Sequence, residues 1–226
     1  MNIKQAVDVL NFWIGKNQGA YFTIEECVNA IHIGQLAYFS DIKPRYATSQ
    51  LIKDILAPFK RKYSFTPSDT ISGYIVIPSN TNYNDLLDVQ IEYQISNRTL
   101  YYPVPMPNED ERANRLNSQI DPVTITSPIG EMEIPRYIRL YPLSGYTGTV
   151  TYLSTPQKPH YAYNVISGRV IVYDEDNSIQ LQWREIDIEL VLIKSLKTLG
   201  INLTDAEVQN FAQISSQQNY QGVNNT

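Results

Sequence analysis

Two histidines and one cysteine are the residues of this 226-residue chain best suited to metal binding or nucleophilic chemistry. His32 falls within a helical stretch and His160 within a proline-flanked linker, with no ligand spacing between them. Cys27 stands four residues after Thr23 of a Thr23/Glu26 capping box, where Phe22 would meet it as a hydrophobic staple. That is the place of a packing residue rather than a nucleophile. A single cysteine also excludes an internal disulfide and a cysteine-based zinc site. The sequence has no glycine-rich phosphate loop, no G-x-S-x-G elbow and no H-E-x-x-H. Acids cluster at Glu109-Asp110-Glu111, at Asp174-Glu175-Asp176 and from Glu185 to Glu189. Paired carboxylates can hydrolyse glycosides, but only when they face each other across a groove, about 5–9 Å apart. Here they fall in an arm, a turn and a helix start, where solvation and the helix dipole account for them. The expectation is a protein that is not an enzyme and holds no cofactor and no metal.

The totals fit contact with other proteins and, equally, an ordinary β-rich protein with neutral polar loops. Charged residues make up 18% of the chain, below the roughly 25% typical of soluble proteins. Tyrosines number 17 against 6 phenylalanines, and tyrosine is enriched at interfaces while Lys and Glu are depleted. A net charge of -5 argues against a module that grips nucleic acid by its phosphates, though not against a surface that DNA slides past. One basic run, Lys60-Arg61-Lys62, reads as a solvated helix end. No stretch is apolar enough to span a bilayer, and the amino terminus lacks a signal-peptide layout, so the expectation is synthesis in the cytoplasm and no membrane.

The elements that must position any site are legible as periods. Ile3, Ala6, Val7, Leu10, Trp13 and Ile14 are at helical spacing, and a second helix from Thr23 carries Ile24, Val28, Ile31, Ile33, Leu36 and Ala37. A third runs from Thr48 to Ala57 and stops at Pro58. From about Ser68 the period becomes two. Strands are expected at 74–77, 88–95, 100–104, 137–141 and 150–153, with a hairpin turning at Asn97-Arg98. Residues 103–136 break the rhythm with repeated prolines around a short helix capped by Asn108 and Glu111. They read as an arm laid over a neighbouring subunit or, equally, as a plain surface insertion. Val170–Tyr173, the turn 174–178 and Ile179–Trp183 read as a second hairpin. The helix over 184–199 is apolar around most of its circumference, so it must be buried on more than one side, by a second helix or a second subunit. A last helix opens at the Thr204/Glu207 capping box, and the ending is polar.

The expected class is α+β, an antiparallel sheet or sandwich core flanked by N-terminal helices and a C-terminal hairpin plus two helices. The expected organisation is a single domain over 1–212, with a helical part (1–60), a β-rich part (68–153) carrying the arm 103–136, and a part with the hairpin and C-terminal helices (161–212). Residues 213–226 form a flexible or partner-bound tail.

Four stretches, NEDERANRLNSQIDPVTITSPIGE (108–131), RYIRLYPLSGYTGTVTYL (136–153), ISGRVIVYDEDNSIQLQW (166–183) and LGINLTDAEVQNFAQ (199–213), carry a resemblance in overall layout. The chain resembles the neck or tail-ring proteins of crAss-like short-tailed bacteriophages. The resemblance implies a virion structural protein, many copies of which form a ring below the portal, continue the DNA channel and dock further tail proteins. The implied partners are itself, the portal protein and other ring or tail proteins, with genomic DNA passing through unbound. Rings need head-to-tail contacts between two different patches. The expected subunit interface is Pro105, Pro107, Ile120, Pro122, Ile125 and Ile129 of the arm with Ile188, Val191 and Leu192 of the late helix. The expected channel lining is Asp174, Glu175 and Asp176, since clustered lysines would hold phosphates. The competing expectation is a carbohydrate- or receptor-binding β-module, whose aromatics would stack on sugar faces.

Overall fold

A computed structural model describes residues 1–18, 22–71, 73–96, 98–166 and 170–200. The class is α+β. The chain divides into two compact units, the first formed by 1–59 with 156–226 and the second by 60–155, so the second is an insertion in the first. The last helix and tail expected from the sequence lie outside the described residues.

In the first unit, α1 (Ile3–Gln18) buries Ile3, Ala6, Val7, Leu10 and Ile14, the spacing of one helix face. Helix α2 (Ile24–Ile42) opens with both halves of its capping box formed: the Glu26 N–H donates to Thr23 Oγ1 and the Thr23 N–H to Glu26 Oε2. A short α3 (Gln50–Leu56) is capped by Ser49, two residues inside the expected start. Helix α5 (Glu185–Thr198) buries Ile188, Val191, Leu192, Ile193 and Leu196 against α2 and α1. Of the two covers expected for the apolar circumference, a second helix or a second subunit, the chain's own helices supply it for all these residues, and Ile186 stays 73% exposed. Gly34 permits this: a Cβ there would lie 2.2 Å from Ser195 Oγ and 2.7 Å from Val191 O. Val28 and Ile31 are buried as expected, but over the second half of α2 the buried side is turned from its expected place. Gly34, Gln35, Tyr38 and Phe39 are inside, while Ile33 is 49% exposed and Ala37 is open.

The second unit packs two antiparallel sheets. One has the order β1-β8-β4-β5, built from β1 (Lys60–Phe65), β4 (Tyr83–Ile95), β5 (Arg98–Pro103) and β8 (Thr147–Ser154). The other has the order β2-β3-β7-β6, from β2 (Thr70–Ile71), β3 (Tyr74–Val76), β6 (Ile129–Ile134) and β7 (Tyr137–Tyr141). Phe65, Val89, Ile91, Val150 and Tyr152 of the first meet Ile75, Ile138 and Leu140 of the second in one core, which makes a sandwich. Gly148 allows a close approach there, since a Cβ would sit 2.2 Å from Gln90 O. The Lys60-Arg61-Lys62 run lies in β1, an exposed edge strand, not at a helix end.

The expected arm is shorter than 103–136. Its first residue closes β5 and its last stretch is β6, which pairs with β7. Between them α4 (Glu109–Leu116) carries the expected Asn108/Glu111 capping box. The segment is tied to its own unit: Val104 N–H donates to Val89 O, Gly130 N–H to Pro105 O, and Arg112 pairs with Glu131 at 2.7 Å.

The C-terminal hairpin is also differently paired. Its strands are β9 (Tyr163–Ile166) and β10 (Val170–Tyr173), in the register Tyr163↔Tyr173, Asn164↔Val172, Val165↔Ile171 and Ile166↔Val170. The 174–178 stretch does not return the chain along β10. Asp174 accepts from the Asn177 N–H and side chain, and Ser178 Oγ donates to Asp174 O. This closed turn sends residues 179–183 back into the helices, where they join a single bridge, His160↔Ile179. Burial explains the choice. Trp183 sits against Phe59 (4.5 Å between ring centres) and Tyr38 (5.0 Å), a place no exposed hairpin offers.

Candidate subunit interface

The two-stranded ribbon β9–β10 is the feature of the first unit whose chemistry is least satisfied. Tyr163, Val165, Ile166, Val170, Ile171 and Val172 are 49, 55, 53, 55, 54 and 41% exposed. An isolated two-stranded hairpin is marginal in water without something to pack on. At about half exposure these six side chains present on the order of 500 Å² of surface in total, divided between two faces: Tyr163, Val165 and Ile171 on one, Ile166, Val170 and Val172 on the other. Neither strand contains a charged residue, a proline or a glycine. Its base is well held: the Asp174 N–H donates to Ala162 O, and Asn164 Nδ2 donates to the Asp174 carboxylate. Tyr161 stacks on both Tyr163 and Tyr173 there, with centres 6.4 and 4.9 Å apart. Asn177 and Asn164 hydrogen bonds hold the Asp174 carboxyl below its usual range, Asn177 contributing most. Beside it, Glu175 and Asp176 are open to solvent.

A groove of about 710 Å³ runs between one face of the ribbon and the start of α2. Ile24, Val28, Pro159, Tyr163 and Ile171 give it an apolar lining, and His160 and Lys158 stand at its side. His32, on α2, is committed elsewhere. Its Nδ1 lies 3.0 Å from Gln35 Nε2, and burial with the charge of Lys158 pushes its pKa down. Gln35 in turn donates to Gln157 O and accepts from the Trp183 indole, so this polar pair ties the core.

The expected interface residues are divided by burial. Ile129, Ile188, Val191 and Leu192 are at most 1% exposed within their own chain and present no surface to a neighbour. Pro105 and Pro122 are exposed, Pro107 half-buried, Ile125 42% and Ile120 98% exposed. Asp174 is half-buried in its turn. The ribbon itself was the missed surface. Its signal is two short runs rich in β-branched residues, Val165–Ile166 and Val170–Val172, on either side of Ser167-Gly168-Arg169, a pattern that equally fits a core strand.

Tyrosines are not gathered in the core. Tyr93, Tyr101, Tyr137 and Tyr163 are 38–60% exposed. On the outer face of the β2-β3-β7-β6 sheet, the Arg139 guanidinium lies 5.5 Å from the Tyr74 ring centre and 5.1 Å from that of Tyr141. Arg139 pairs with Glu133, Tyr74 donates to Glu133, and Tyr141 donates to Glu131. The bond to Glu133 pushes the Tyr74 phenol up and holds Arg139 protonated. Sugar stacking needs open ring faces, and Arg139 occupies one face of each of these tyrosines.

Among the described residues no three His, Cys, Asp or Glu side chains converge as a metal site would require, and no helix is long and apolar enough to cross a membrane. The chain matches no family model and no curated protein.

Proposed function

We propose that this chain is a structural protein of a phage virion, copies of which form a ring in the neck or tail beneath the portal. The ring continues the DNA channel and docks further tail proteins. The observation that supports this reading is the bare apolar ribbon β9–β10, whose six half-exposed side chains a single copy leaves in water. A stable interface takes roughly 800 Å² from each partner, and the ribbon's two faces together supply part of that. The resemblance of the four sequence stretches to crAss-like neck and tail-ring proteins points the same way. Glu175 and Asp176, exposed next to the ribbon's base, are proposed to face the DNA, where their charge repels phosphate. The apolar ends of the arm, Ile120 and Ile125, are proposed as secondary contacts.

Sedimentation of the purified chain over a wide concentration range, with imaging of the particles formed, tests the reading. The expected result is a closed ring of identical subunits. A protein that remains monomeric throughout and is missing from purified virions overturns it.

A further inference from the structure

Every edge of the two sandwich sheets carries a device that blocks strand addition. Strand β1 displays Lys60, Arg61 and Lys62, β5 ends in Pro103, β2 is two residues long, and β6 has a register shift between Met132 and Ile134. The ribbon β9–β10 carries none of these. Five of its eight residues are β-branched and none is charged. The same chain therefore guards four edges and leaves two open.

Those two edges are different surfaces. The Asp174 N–H donates to Ala162 O, which makes 162/174 a hydrogen-bonded pair of the ladder. Pairs alternate along an antiparallel ladder, so 163/173 and 165/171 are the non-bonded pairs. Their main-chain N–H and C=O groups point away from the partner strand. Val165 thus presents a free donor and acceptor on the β9 side, and Ile171 on the β10 side.

We infer that the ribbon joins copies of this chain by strand addition, the outer edge of β10 in one copy pairing with the outer edge of β9 in the next. The contact is head to tail, because two unlike edges meet, and it repeats until the ring closes. It is antiparallel at every junction when the strands run along the ring axis. The occupant is a second copy rather than a nucleic acid or a charged protein, since the two strands whose edges are open carry no charged side chain to complement such partners. A second ribbon is neutral, β-branched and equally short of hydrogen-bond partners. The inference rests on the ring reading given above and adds to it which surfaces meet.

The test uses the full chain with one edge blocked at a time. Proline removes an outward N–H without touching the inner ladder, as edge strands tolerate. Val165→Pro blocks the β9 edge and Ile171→Pro the β10 edge. Thermal unfolding and Trp183 fluorescence check the fold, and Val165→Lys and Ile171→Lys repeat the test if either proline disturbs it. Each variant alone is expected to be monomeric, with assembly weakened at least about tenfold. Mixed in equal amounts, the two should give a dimer and nothing larger, because one free β10 edge meets one free β9 edge. In the unmodified protein, the Val165 and Ile171 amides should exchange at least about tenfold more slowly in the ring than in the diluted monomer.

Variants that still close a ring on their own overturn the inference and leave the ring reading standing. A dimer formed by either variant alone also overturns it, since like edges would then be meeting. So does binding of the ribbon to neutral lipid vesicles in place of another copy. Unmodified protein that is monomeric at every concentration removes the ring reading, and the inference falls with it.

Discussion

Gly34 is the residue on which the helical unit turns. A methyl group there would meet Ser195 Oγ at 2.2 Å and two main-chain atoms of α5 under 3 Å. Main chain cannot swing aside as a side chain can, so Gly34→Ala must push α2 and α5 apart. The expected loss is about 1–3 kcal/mol, read from urea unfolding; an unchanged midpoint would show that the helices lie farther apart. Cys27 makes a second residue-scale case. Burial and, secondarily, the charge of Glu26 push its thiol up to about 11, and its Sγ donates to Asn11 Oδ1 at 3.3 Å. Thiolate is the reactive form, so the native protein at about pH 8 should resist iodoacetamide and label only after unfolding. Rapid native labelling would contradict the packing. Three hydrogen-bonded carboxylates respond to acid. Main-chain hydrogen bonding from Thr23 lowers Glu26, the Thr66 hydroxyl lowers Asp69, and Asn177 lowers Asp174. A carboxyl lowered by folding lends stability that is complete above its unfolded value and is lost as pH falls through the folded one. Solvent screening keeps each share small. The melting temperature should therefore slip slightly between about pH 5 and 3. Glu26→Gln should flatten that slope, and a slope identical to the parent's would remove Glu26 from the account.

At the scale of elements, α5 and β9–β10 exchange the roles that their compositions suggest. Helix α5 has apolar residues around most of its circumference and hides most of them inside its own unit, Ile186 (73% exposed) excepted. The ribbon is shorter, and leaves its residues in water. The difference is one of neighbours: α1 and α2 close over the helix, while the closed turn at Asp174 leads the chain away from the ribbon. Leu192→Ala should accordingly cost about 2–5 kcal/mol by leaving a cavity, without altering the stoichiometry of whatever assembly forms under native conditions. Calorimetry with sedimentation separates the two effects. A change in subunit number with unchanged stability would return Leu192 to the interface. Helix starts were legible from local chemistry, because a capping box needs only residues three apart. Thr23/Glu26 and Asn108/Glu111 both form as their spacing implies. Among strand partners the β4–β5 hairpin was legible, but the later one was not, since pairing there depends on which distant residue wins the core, and Trp183 does so against Phe59 and Tyr38.

For the whole molecule, the insertion of one unit into the other has a direct consequence. Lys60 pairs with Leu153, so the chain enters and leaves the sandwich at adjacent points of one sheet. Residues 60–155 hold a continuous core of their own. Expressed alone, that fragment is expected to unfold cooperatively, with dispersed amide resonances, as domains with neighbouring termini do. A collapsed, poorly dispersed fragment would mean that the sandwich needs the helices to fold. Sequence alone determined the α+β class, most helices and strands, both capping boxes and the packing role of Cys27, because these follow from short periods and near neighbours. Only the tertiary structure decided that the flanking segments of the chain form one unit, that most of the late helix is covered at home, and that seven uncharged residues of the ribbon stand open. Burial is settled by what folds over a residue. That depends on contacts a hundred or more positions away, such as Gln35 with Trp183, which no local pattern records.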